Sequence, residues 1–255
     1  MTTIAETLFG SRAVLAKAEP TMMQKVARYM WVPMLLMGLM VVAASLGLSI
    51  AVADATSNYF GLPASVREAA NAPAGAIDDR QFIESTNVWL PGFQLLGIGL
   101  ILAAITFSLA SILGVFRAGG GRLQQAFGHE AQTLTPPITA RLFPMLMMMG
   151  LVILIVNLVI SAIIGGFAWD VYGHSIAEIN AASEGSDLLG DLGTVNTYKT
   201  WLEPFKFVGI AFILVGISFA VHTILQVIRF QGQRIRELAL AGAGWPLLES
   251  KGGAR

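Results

Sequence analysis

The chain has 255 residues, of which 55% are hydrophobic and only 13% charged, and its mean hydropathy is +0.68. A soluble domain carries roughly 25% charged residues, so a water-exposed globule is excluded. Sixteen Lys and Arg balance sixteen Asp and Glu, which leaves no basic field for nucleic acid, and the lack of cysteine removes disulfides, thiolate metal sites and cysteine nucleophiles.

In chain order, residues 1–28 form a cytoplasmic N-terminal segment. Ile4, Leu8, Phe9, Val14 and Leu15 stand among Glu6, Arg12 and Lys17, a pattern that predicts a helix over 2–18 lying at the membrane surface. Four uncharged runs follow, at 29–53, 85–116, 142–169 and 207–228. Each exceeds the ~20 residues that carry a helix across a ~30 Å hydrocarbon core. None alternates with period two, and a backbone in lipid must satisfy its own hydrogen bonds, so all four are predicted helices. Ala51-Val52-Ala53 resembles a signal-peptide cleavage site, but the first run is too long and begins too late for one. Trp31, Trp89, Trp169 and Trp201 fall at span ends, where an amphipathic ring favours the headgroup level.

Charge sets the orientation. Arg12, Lys17, Lys25 and Arg28 precede the first span. Arg117, Arg122 and Arg141 bracket the middle loop, and Arg229, Arg234, Arg236, Lys251 and Arg255 lie in the tail. The two other loops are acidic, with Asp54, Glu68, Asp78, Asp79 and Glu84 in one and Asp170, Glu178, Glu184, Asp187 and Asp191 in the other. The positive-inside rule therefore puts both termini and the middle loop in the cytoplasm. The expected setting is a prokaryotic inner (cytoplasmic) membrane.

A shift of 112 residues lays the second half on the first. Trp89 meets Trp201, Phe93 meets Phe205, Gly97 meets Gly209, Arg117 meets Arg229 and Arg122 meets Arg234. The same offset pairs Gly38 with Gly150, Ser45 with Asn157, Ser49 with Ser161 and Gly61 with Gly173. The predicted fold is an all-α four-helix transmembrane bundle of two tandem parallel hairpins. The first hairpin covers 29–117 and the second 140–229. A cytoplasmic linker at 118–139 joins them, a tail follows at 230–255, and two packed outer loops of about thirty residues complete the chain.

Gly38, Gly150, Gly97 and Gly209 are expected at close helix contacts, and Ala43, Gly47 and Ala51 form a small-residue ridge, as Gly216 and Ala220 do. Ser45 with Ser49, and Asn157 with Ser161, share a face at i, i+4 spacing, and an amide in hydrocarbon seeks the protein interior. Arg117, Arg229, Arg234 and Arg236 are expected to face lipid headgroups or a partner. His222, the one histidine inside a span, is a candidate haem or metal ligand, weighed against a histidine hydrogen-bonded near Ser218 and Gln226. Met30 with Met34 and Met145 with Met149 have a spacing that suits Cu(I), although Met also fills gaps between helices. Gly119-Gly120-Gly121 lacks the Lys-Ser/Thr of a phosphate loop and reads as a flexible turn.

No catalytic constellation is present, and no resident cofactor is expected. The leading expectation is a non-catalytic membrane subunit or scaffold whose partners are the bilayer and other membrane subunits or itself. A transporter or channel formed by oligomerisation comes second, with Asn157, Ser161, Ser45 and Ser49 lining its path. A haem- or copper-bearing electron-transfer subunit is third.

Overall fold

The computed structural model describes residues 13–15, 22–126, 132–134 and 137–249, with side chains over 26–126 and 137–237 and at Leu240. Six helices follow one another: α1 (Met22–Gly61), α2 (Ala64–Arg67), α3 (Ala74–Ala126), α4 (Ile138–Tyr172), α5 (Ile176–Ala181) and α6 (Asp187–Glu249). Helices α1, α3, α4 and α6 are long and apolar enough to cross a membrane. The chain is therefore all but wholly helical and has the character of a membrane protein. Among the described residues the rest is short connections and two three-residue strands, β1 (Ala13–Leu15) and β2 (Gln132–Leu134), paired antiparallel with Val14 opposite Thr133.

Three expectations need correction. The thirty-residue outer loops are mostly helix, because α1 runs on to Gly61 and α3 begins at Ala74, while α5 and α6 take up much of 173–206. An established helix gains a hydrogen bond with each added residue, and here the extensions also bury Tyr59, Ala76 and Ile83 against Val52 and Ala55. Gly119-Gly120-Gly121 is not a turn but part of α3. The Gln231 side chain reaches the space that a Cβ at Gly120 would take. Residues 13–15, expected in a surface helix, are extended, and their backbone groups are paired with β2. The rest of 2–18 lies outside the described residues.

The chain divides into two compact units. In the unit of residues 33–103 and 148–214, α1 meets α3 at two glycines. A Cβ at Gly38 would stand 2.8 Å from Ile101 Cγ1 and 2.9 Å from the Gly97 carbonyl, and one at Gly97 would stand 2.9 Å from Val42 Cγ2. The contact of α4 with α6 has the same form. A Cβ at Gly150 would stand 2.6 Å from both the Gly209 carbonyl and Ile213 Cγ1, and one at Gly209 would stand 2.9 Å from Leu154 Cγ. Helix α3 also packs on α4, where Gly165 receives the Trp89 ring, and on α6, where Val88 and Val195 share a cluster with Ile164, Ala168 and Tyr172.

The other unit holds residues 1–32, 104–147 and 215–255. Ala27, Ala110, Phe143 and Ala220 make its core, one residue from each long helix. A Cβ at Gly216 would stand 3.0 Å from the Phe143 carbonyl, and the buried hydroxyls of Thr139 and Thr223 bond at 2.9 Å.

Candidate functional site

Within the unit of residues 33–103 and 148–214, α3, α4 and α6 enclose a cavity of about 310 Å³. Glu84, Asn87, Val88, Pro91 and Gly92 come from α3, Asn157 and Ser161 from α4, and Lys199, Leu202, Glu203 and Lys206 from α6. Glycine at 92 lets α3 approach this wall, since a Cβ there would stand 3.0 Å from Asn157 Nδ2.

The cavity is polar although apolar spans surround it. Asn157 is 1% exposed, and its Oδ1 is buried with no hydrogen-bond partner within the chain. Ser161 does not relieve it, because its hydroxyl donates to the Asn157 main-chain carbonyl at 2.7 Å. Pro91 lies inside α3 and has no N–H to give the Asn87 carbonyl four residues back.

Two ion pairs complete the lining. Lys199 Nζ donates to Glu84 Oε2 at 3.0 Å, with both side chains about one-third exposed. Lys206 Nζ reaches Glu203 Oε1 at 2.8 Å, but here the side chains are 8% and 65% exposed respectively. The ammonium is thus drawn inward while its carboxylate stays outside.

The serines paired by sequence with Asn157 and Ser161 lie elsewhere in the unit. Ser45 Oγ donates to the Val42 carbonyl at 2.7 Å, and Ser49 Oγ donates to the Ser45 carbonyl at 2.9 Å while accepting from Gln94 Nε2 at 3.2 Å. All four are at least partly buried, yet only Asn157 and Ser161 line the cavity.

His222 is exposed on α6, and its Nε2 stands 3.0 Å from Gln226 Nε2. Met34 is buried, whereas Met30, Met145 and Met149 are exposed. No group of three His, Cys, Asp or Glu side chains suited to a metal occurs among the described residues. Arg229 and Arg236 are exposed, Arg117 is half-buried, and Arg234 pairs with Glu237 at 2.9 Å. Ala43, Gly47 and Ala51 all face outward, and a Cβ at Gly47 would meet nothing within 4 Å.

Sequence reasoning missed Glu84, Lys199, Glu203 and Lys206 because they flank the spans and pass for interfacial charges, and it missed Asn87 because that residue sits near the start of its run. A signal was present in the 112-residue register, where Lys199 replaces Asn87, Glu203 replaces Pro91 and Lys206 replaces Gln94. These three α6 positions carry charge where the residues 112 earlier do not. Compared with known proteins, the chain matches no family model, no curated protein and no solved structure.

Proposed function

We propose that this chain is a non-catalytic integral membrane subunit that associates laterally, within the bilayer, with another membrane chain or a second copy of itself. The observation that carries this reading is the state of α1. Only 11% of its most apolar stretch is buried, against 39%, 39% and 28% in α3, α4 and α6, and its Ala43–Gly47–Ala51 ridge points away from the protein. Small residues let membrane helices approach closely, and a ridge of them turned outward suits a helix from outside the chain.

The architecture we infer is two tandem parallel hairpins with both termini cytoplasmic. Supporting it, the constellation Gly38, Val42, Gly97 and Ile101 recurs as Gly150, Leu154, Gly209 and Ile213, each residue 112 positions on. Helix α5 begins 112 residues after α2, and α4 ends 111 after α1.

Native mass spectrometry of the chain extracted with its surrounding membrane tests the association. The wild type is expected as a complex with a defined partner mass, and Gly47→Leu as the lone chain with unchanged helicity. A lone wild-type chain, or a complex indifferent to Gly47→Leu, contradicts the reading. Solute passage is the second reading, favoured by the polar cavity. Flux in proteoliposomes that Asn157→Leu abolishes would promote it.

A further inference from the structure

We propose that the cavity between α3, α4 and α6 is a binding site for a small zwitterion carrying a primary ammonium and an anionic oxygen group, free in solution or as a lipid headgroup. The inference is independent of lateral association through α1 and requires only binding, not passage.

The lining dictates the class. Lys199 and Lys206 balance Glu84 and Glu203, so the lining carries no net charge to favour a ligand of one sign, and a zwitterion matches it with both of its ends. Lys206 brings an ammonium with three N–H donors, and Glu203 takes one of them at 2.8 Å. The remaining donors suit a carboxylate or phosphate oxygen. The lining also offers acceptors: Asn157 Oδ1, and the Glu84 carboxylate, which Lys199 already engages through one oxygen. They suit N–H donors, and an ammonium supplies three. A volume of about 310 Å³ lies at the small end of ligand sites, which run from about 300 to 1,000 Å³.

The two halves of the chain sharpen the point. In the first half Gln94 closes its position by donating to Ser49 at 3.2 Å. In the second half the matching pair, Lys206 and Ser161, both line the cavity, and beside them Asn157 keeps an acceptor unspent. A purely structural polar position has its closed form in this same molecule, and the second half departs from it. Ionisable groups among membrane spans are costly and mark functional sites.

The experiment uses the full-length protein. In detergent micelles its thermal unfolding is followed with free glycine, free phosphoethanolamine and, as a neutral control, glucose. In nanodiscs phosphatidylethanolamine is compared with phosphatidylglycerol. A ligand that binds only the folded state raises Tm in a saturable way. We expect such a rise with at least one zwitterion and none with glucose. A rise with the free compounds identifies a soluble ligand, and a rise confined to phosphatidylethanolamine discs identifies a headgroup.

Lys206→Gln and Asn157→Leu should each weaken the apparent affinity at least about tenfold, corresponding to 1.4 kcal/mol, while Gln94→Ala leaves it unchanged. Leucine matches asparagine in size and removes the orphaned acceptor, so Asn157→Leu keeps the test open should Lys206→Gln fail to fold. No saturable rise in any arm, an equal rise with glucose, or a rise that both substitutions spare would overturn the proposal.

Discussion

Single glycines decide where these helices touch. A methyl group at Gly150 would press on the Gly209 carbonyl at 2.6 Å, and main chain cannot swing aside as a side chain can. Gly150→Ala should therefore destabilise the protein by about 1–3 kcal/mol, the usual cost of overpacking. Gly47 sits on a helix of the same kind with open space around it. Gly47→Ala should be neutral or stabilise by up to ~1 kcal/mol through helix propensity. Unfolding in mixed micelles, with the two variants side by side, checks the contrast. Equal losses would mean that Gly150 is not the contact described. The sequence reading singled out Gly150, Gly38, Gly97 and Gly209, because glycine in a long apolar run has few other uses. It did not separate Gly47 from them, since which face meets a neighbour depends on how the chain packs and not on local composition.

Short elements carry their own chemistry, and α5 is the best defined. Ser175 Oγ accepts from the Glu178 N–H at 3.2 Å, and Glu178 Oε2 accepts from the Ser175 N–H at 2.8 Å, a reciprocal cap at the helix start. The Ser175 main-chain N–H bond, then the Ser175 side-chain bond and the charge of His174, hold the Glu178 carboxyl below the ordinary glutamate range. A carboxyl lowered in the folded state stabilises fully above its unfolded pKa, and loses that contribution as pH falls through its folded value. The protection factors at Glu178 and Ile179, referred to the intrinsic exchange rate at each pH, should therefore be high at neutral pH and fall only under acid conditions below the ordinary glutamate range. Loss of protection already near neutrality would refute the cap. Ser175→Ala should cost about 1 kcal/mol of local protection at every pH. None of this was visible in the sequence reading, which took the stretch between the third and fourth spans as an outer loop of about thirty residues. Charge and tryptophan marked the span ends in the sequence, but a helix leaving lipid for water meets no penalty that would stop it there.

The extent of what the sequence discloses follows from the solvent. Lipid admits few backbone solutions, so the four spans could be placed from uncharged length alone, and the structure has long apolar helices at all four. The polar cavity was half legible. Asn157 and Ser161 stood out because they interrupt hydrocarbon. Glu84, Lys199, Glu203 and Lys206 did not, because charges near span ends are ordinary. Only three-dimensional packing tells an interfacial lysine from one whose ammonium is drawn inward, as at Lys206, 7% exposed.

Since the chain contains no cysteine, single-cysteine variants labelled with an impermeant maleimide read its topology without background. Ser65→Cys and Ser183→Cys lie in the stretches after α1 and after α5, and Gln125→Cys and Gln233→Cys lie near the end of α3 and on α6 beyond the fourth span; all four positions are exposed. The first pair should label in intact cells, and the second pair only after the membrane is opened. Labelling of Gln125→Cys and Gln233→Cys from opposite sides of the membrane would contradict two hairpins laid down in the same direction.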